Sequence, residues 1–394
     1  MKKLVLALAA TTMMSTAAFA EDVKIGVFLG FTGPIESLVA NMGPGAELAI
    51  KEVSDSGALL DGSKVVAVRG DTTCVDAAAA TATAERLITS DGVKAIVGGD
   101  CSGVTGATLQ NVARPNGIVM VSPSATSPGL TTAEDDGLFF RTAPSDARQG
   151  EIVADILTGK GVKSIALTYT NNDYGKGLSD SIAENFKKAG GDVTIVAAHE
   201  DGKGDYSAEV GALASAGGEV LVVAGYLDQG GKGIIQGSLD TGAFDTFYLP
   251  DGMVGDALPT AIGDALNGSY GAAPGTDSPG AAKFAELAKA AGFDGASPFA
   301  GESYDAAALI MLAMQAAGSS DSAKLKEKVF DVANAPGEKI FPGELEKALK
   351  ILKDGGDVDY VGASAVELIG PGESAGNYRE IEIKDQALST VGYR

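Results

Sequence analysis

Short apolar runs alternate with longer segments of helical period along most of the chain. Strands are expected near Val23–Leu29, Val65–Arg69, Ala95–Val97 and Ile118–Val121, with helices near Gly45–Val53, Asp76–Ser90 and Gly103–Arg114 between them. Asp76 stands where an N-cap belongs, ahead of an alanine-rich run, and Asp91-Gly92 is a natural stop. The alternation restarts at Arg148–Leu157 and runs on through Ser164–Tyr169, Gly175–Ala189, Val193–Ala197, Tyr206–Ala216, Glu219–Val223, Gln229–Leu239 and Phe244–Leu249. Strand runs that are apolar throughout, separated by single helices, predict parallel sheets covered on both faces. Two such α/β units result, meeting near Phe140–Ser145.

The last third differs. Helical segments Ala281–Ala291, Phe299–Ala316, Ser322–Val332 and Gly343–Lys353 come in succession, followed by strand-like Ala365–Ile369 and Tyr378–Ile383. No low-complexity linker sets this part off, so it is expected to return to the first unit rather than form a third domain. The stretch Gly337–Asp359 receives no assignment.

Composition narrows the function. The 394 residues are 45% hydrophobic, enough for a sizeable core. With 52 acidic against 30 basic side chains the net charge is −22, which argues against nucleic acid or an anionic membrane surface as partner. A single histidine, His199, and two cysteines leave no zinc site, and neither a metal nor a cofactor is expected. His199 follows a strand and reads as a solvated turn residue. Gly99-Asp100-Cys101-Ser102-Gly103 lacks the spacing of a serine-nucleophile elbow, and Gly230-Gly231-Lys232-Gly233 lacks that of a phosphate loop.

Residues 1–20 have the three parts of a secretory signal: Lys2 and Lys3, the apolar Leu4–Ala10, and Ala18-Phe19-Ala20 as cleavage site. Cleavage after Ala20 leaves a soluble periplasmic chain, since no later stretch is apolar and long enough to span a bilayer. In that oxidising compartment Cys74 and Cys101 are expected to form a disulfide rather than two buried thiols. Closing that loop stabilises by about 3–4 kcal/mol in the chain-entropy model.

In open α/β sheets ligands sit beyond the carboxyl ends of the strands. There the first unit offers Ser102, at a helix start, and Ser122-Pro123-Ser124-Ala125-Thr126, donors suited to a carboxylate. The second unit offers Asn171–Tyr174, Tyr226 and Pro250-Asp251-Gly252; Asp251 can neutralise an ammonium faced by the rings of Tyr174 and Tyr226. Anion donors on one unit and cation acceptors on the other suit a zwitterion.

Several stretches together resemble periplasmic binding proteins of the leucine/isoleucine/valine type, which serve ABC importers of amino acids. They are Lys24-Ile25-Gly26 with Thr32-Gly33-Pro34, Gly45-Ala46-Glu47-Leu48-Ala49-Ile50, Asp71-Thr72-Thr73-Cys74, and Val97-Gly98-Gly99-Asp100-Cys101-Ser102. To these are added Ser122–Thr126, Tyr174-Gly175-Lys176-Gly177, Gly225-Tyr226 and Tyr304-Asp305-Ala306. The resemblance implies an α/β fold of the type I periplasmic binding protein class, two doubly wound parallel-sheet lobes joined by a three-segment hinge. Lobe 1 is then 21–141 with about 272–357 returning to it, and lobe 2 is 142–271 with about 358–394 returning.

It also implies that Ser102, Ser124 (through its backbone) and Thr126 hold an α-carboxylate. Tyr226 and Asp251 then face the ammonium, Tyr174 and Tyr304 wall the cleft, and Cys74 pairs with Cys101. Three positions depart from the pattern: Asp251 replaces the frequent Glu, Asp100 an apolar residue, and Leu38 an aromatic. Asp100 thereby joins the ligand-binding set, and a more polar or cationic ligand than a branched-chain amino acid becomes admissible.

The expectation is a non-enzymatic, monomeric receptor that delivers an amino acid to an inner-membrane ABC permease and binds no nucleic acid. The same fold with an amide, urea-like or other small carboxylate ligand is the first alternative. An exported α/β hydrolase using Ser102 or Ser124, with His199 as base, is the second.

Overall fold

Apolar strand runs and the helices between them assemble into two sheets in the computed structural model, which describes residues 22–394; the signal segment expected at 1–20 lies outside the described residues. Val23–Leu29 (β1), Val65–Asp71 (β2), Ala95–Gly98 (β3), Met120–Ser122 (β4) and Phe139–Pro144 (β5) lie parallel in the order β5-β4-β3-β1-β2. Ser164–Thr170 (β6), Asp192–His199 (β7), Val220–Ala224 (β8), Phe247–Leu249 (β9) and Tyr270–Pro274 (β10) repeat the arrangement as β10-β9-β8-β6-β7. Strands β3, β4, β5, β8, β9 and β10 are buried along their whole length, because helices cover both faces. Asp76 caps the helix Ala77–Arg86 as expected, accepting from Ala78 N at 2.9 Å and Ala79 N at 3.0 Å.

After Pro274 the chain returns to the first lobe. The helix Ala300–Ala317 is buried from Glu302 through Gln315 and packs on the helix Glu36–Ser56. Glycine at position 45 permits this approach: a Cβ there would stand 2.4 Å from the Ala300 carbonyl oxygen. The unassigned stretch becomes Glu338–Ile340 (β11) paired parallel with Val358–Tyr360 (β12), with the helix Leu345–Lys353 between them. Buried Asp305 fastens the end of β12 and the turn beyond it, accepting from Tyr360 OH at 2.7 Å, Ala363 N at 2.8 Å, and Ser364 N and Oγ at 2.7 and 2.6 Å.

Leu368–Ile369 (β13) and Glu373–Ser374 (β14) then extend the first sheet beside β5. Tyr378–Lys384 (β15) and Ala387–Tyr393 (β16) extend the second, antiparallel to β10. The third crossing therefore falls between Ser374 and Tyr378, not near 358, and Val358–Ser374 stays with the first lobe. Two-residue strands are too short to show an alternation, so their membership was not readable from pattern. The sheets also differ from purely parallel ones at their C-terminal edges.

Cys74 and Cys101 are disulfide-bonded, tying the loop after β2 to the loop after β3. Replacing both by alanine is expected to lower unfolding stability by about 3 kcal/mol through the freed loop. Urea unfolding should show a lower midpoint, with a steeper slope as the unfolded chain expands; an unmoved stability would show the bridge to be idle.

Candidate functional site

Loops at the carboxyl ends of the two sheets face each other around a narrow cavity of about 20 Å³. That is room for about one water, so the lobes are drawn together with little free space between them and must part to admit a ligand. The first lobe lines it with Ile35, Leu38, Asp100, Cys101, Ser102, Ser124 and Phe299, the second with Tyr174, Tyr226, Asp251 and Gly252. The lobes are shut over it: Asp228 N donates to Pro34 O at 3.1 Å, and its Oδ2 accepts from Ser37 N at 2.9 Å. Asp228 was not among the residues the sequence singled out.

On the second lobe, Asn172 caps the helix Asp173–Lys188 through Gly175 N and so places Tyr174 in its first turn. Tyr174 and Tyr226 stack, ring centroids 5.2 Å apart and planes 13° apart. Tyr174 OH donates to Asp251 Oδ1 at 2.6 Å and accepts from Gly252 N at 3.1 Å. A Cβ on residue 252 would stand 2.7 Å from that hydroxyl, so the approach needs glycine. Asp251 N donates to Gln149 Oε1 at 3.1 Å, and Gln149 Nε2 donates to Asp146 Oδ1 at 2.8 Å. Two carboxylates, Asp251 and Asp146, are thus held behind the cleft by one amide. Burial raises the pKa of both, and for Asp146 the neighbouring charge of Asp251 adds to the rise.

On the first lobe, Asp100 lines the cavity but is held by the protein: its carboxylate accepts from Gly30 N at 2.6 Å and Thr72 Oγ1 at 2.8 Å. Burial raises its pKa against those bonds. Ser102 Oγ accepts from Ser127 N at 3.1 Å, which leaves its hydrogen to donate. Ser124 Oγ donates to Asp100 O at 3.1 Å, and its backbone N–H is directed at Ser122 Oγ at 3.3 Å. Thr126 is fully buried and does not line the cavity; its carbonyl accepts from Asp146 N at 2.8 Å. Behind this loop, buried Arg141 donates to Ala125 O and Ser127 O at 2.9 and 3.0 Å, to Thr131 Oγ1 at 2.7 Å and to Glu373 Oε2 at 2.5 Å.

Buried away from the cavity, Thr126 is removed from the carboxylate set, and two further expectations are corrected. Tyr304 does not wall the cleft: it is fully buried in the helix Ala300–Ala317, where its hydroxyl bonds Glu52 and accepts from Gly343 N at 3.1 Å. The aromatic wall comes instead from Phe299, the residue before that helix, held in the left-handed region at φ 64°. A bulky side chain in that region is uncommon, and no local sequence signal announces it.

His199 is the second correction. It is 1% exposed, with Nδ1 2.9 Å from Thr168 Oγ1, and does not line the cavity shared by Ser102 and Ser124. Burial lowers its pKa from 6.5 to about 4. A histidine kept neutral by the fold contributes stability that is full above the unfolded pKa and is lost as pH falls toward the folded one. Relative to His199→Gln, the native chain is expected to lose about 3 kcal/mol between pH 7 and pH 4. Parallel stability profiles for the two proteins would contradict the assignment.

Among the described residues no three His, Cys, Asp or Glu side chains stand together as a metal site, and no helix is long and apolar enough to cross a membrane.

The sequence profile of the family described as periplasmic binding protein matches residues 22–337. A Leu/Ile/Val-binding protein homolog of Brucella abortus is 34% identical over 324 residues, covering 80% of this chain and 84% of its own. Among solved structures, a leucine binding protein from Thermotoga maritima superposes with a TM-score of 0.79 at 23% identity, over 94% of this chain and 98% of that one. A solute binding protein of an ABC transporter from R. palustris, in complex with benzoate, gives 0.75 at 21% identity over 94% and 96%. At those identities the structural likeness establishes the fold.

Proposed function

The chain belongs to the periplasmic binding protein family, and from that premise we propose that it is the solute receptor of an ABC importer, taking an amino acid between its lobes. The observation that carries the reading is buried Asp251, set in the cavity wall opposite the hydroxyls of Ser102 and Ser124. Asp251 Oδ1 already takes bonds from Tyr174 and Gly252, so Oδ2 would meet the ammonium, with the stacked Tyr174 and Tyr226 rings beside it. Ser102 would meet the carboxylate through its free hydroxyl hydrogen, with Ser124 beside it and Thr126 and Arg141 shaping their loop. Ile35, Leu38 and Phe299 leave an apolar surround for an aliphatic side chain.

Asp100 serves in this reading to hold β1, β2 and β3 in register at the cleft, since its oxygens accept from Gly30 and Thr72. The likeness to a benzoate-bound protein supports a second reading, a small aromatic acid. Asp251 weighs against it, because an acid without an ammonium would meet a buried carboxylate unpaired. Export to the periplasm, a monomeric state and delivery to a membrane permease complete the proposal. No hydrolase is proposed, as His199 is walled off from both serines.

Mass spectrometry of the small molecule released on denaturing freshly purified protein tests this directly. An α-amino acid is the expected release. A carboxylate lacking an amine would overturn the zwitterion reading.

A further inference from the structure

A second, larger hollow of about 300 Å³ lies on the far side of Phe299, which lines both spaces. It is open to solvent and sits beside the second crossing between the lobes, with Pro274–Ser278 along one wall and Ala363–Ser364 of the first lobe along another. Small residues on the helix Pro279–Ala291 leave the room, and Phe284 forms part of the wall.

Two charged side chains face this hollow from different lobes. Glu302, in the first turn of the helix Ala300–Ala317, is only 5% exposed, yet it takes no side-chain hydrogen bond from any other described residue. Arg379, on β15 of the second lobe, donates through one terminal nitrogen to Ala296 O at 3.0 Å, while its buried Nε has no acceptor. Neither forms an ion pair among the described residues, although they line the same hollow from opposite lobes. The Nε of Arg379 is a buried donor without an acceptor, which is costly, and Glu302 offers a carboxylate with no cation on it at another wall of the same hollow. Burial lifts the carboxyl of Glu302 to about 7, and Arg379 pulls it back, so an ammonium placed there would hold it ionised.

We propose that this hinge hollow is a second binding site for a small zwitterion of the α-amino acid class, its ammonium on Glu302 and its carboxylate on Arg379. The occupant would touch both lobes beside the second hinge strand and would favour the closed arrangement. The proposal stands apart from the interlobe site, whichever ligand that site takes.

Equilibrium dialysis of ligand-stripped protein against radiolabelled L-leucine is the test. Beyond the tight site, a second, weaker leucine per chain is expected. Glu302→Gln and Arg379→Met are each expected to weaken that second event about tenfold or more, the worth of a charge-assisted hydrogen bond, and to leave the tight one unchanged. In Asp251→Asn the pattern should invert, the tight event failing while the Glu302-dependent one persists. That variant separates this proposal from the interlobe reading. Saturation at a single leucine per chain in folded native protein would overturn the second site. Second-site binding that survives Arg379→Met would reduce it to a cation site and overturn the zwitterion.

Discussion

Asp251→Asn is expected to weaken binding of an ammonium-bearing ligand by about 2–5 kcal/mol, roughly 30- to 5,000-fold. The substitution keeps the shape of the side chain and removes only its charge. The cavity closes between lobes, Asp251 is 1% exposed, and no lysine or arginine among the described residues lines the space, so water does little to soften the loss. The pH dependence has a definite sign. Burial raises the Asp251 pKa in the free protein, so falling pH protonates it before an ordinary aspartate and weakens ligand binding. Titration calorimetry at pH 7 and pH 5 should show affinity dropping with acid in the native protein and staying level in the asparagine variant. A folded variant binding within about threefold of the native protein, where a tenfold change is 1.4 kcal/mol, would remove Asp251 as the ammonium partner.

Arg141→Met is expected to cost about 3–5 kcal/mol of stability, the usual penalty for stripping one partner from a buried ion pair. Arg141 is 1% exposed, and its carboxylate partner among the described residues is Glu373 on β14, a strand that reaches the first sheet from the other end of the chain. The same guanidinium holds the carbonyls of Ala125 and Ser127, and Ser127 N in turn bonds Ser102 Oγ. Ligand affinity should therefore fall along with stability. Adding Glu373→Leu should recover part of the stability, since an apolar pair can replace a buried ionic one. Urea unfolding of the two variants checks both statements, and a loss under about 1 kcal/mol in Arg141→Met would show the pair to be dispensable.

Most core strands were legible because parallel strands covered on both faces must be apolar throughout, and such runs stand out between helices. The site loops were legible for a related reason: polar, glycine-containing stretches placed where those strands end. The features that stayed hidden depend on partners distant in sequence. His199 occupies the last position of β7, where a polar turn and a buried ring look alike; Thr168 and Tyr206 decide the matter. Tyr304 and Asp305 share a motif, but that motif serves to pin Glu52 and the 360–364 segment rather than a ligand. Phe299 enters the cleft through a left-handed backbone that its neighbours impose.

The threefold passage between lobes also fixes when the molecule can be completed. The open edge of β5 gains its neighbour only from Glu373–Ser374, and that of β10 only from Tyr378–Lys384. A nascent chain that stops before Glu373 carries two unpaired sheet edges, each able to template pairing with another chain. Neither lobe is a contiguous stretch that can mature while the rest is being made. Assembly must wait until residues 373–384 have been made, and a chain cut before Glu373 should yield an aggregating product rather than a smaller receptor.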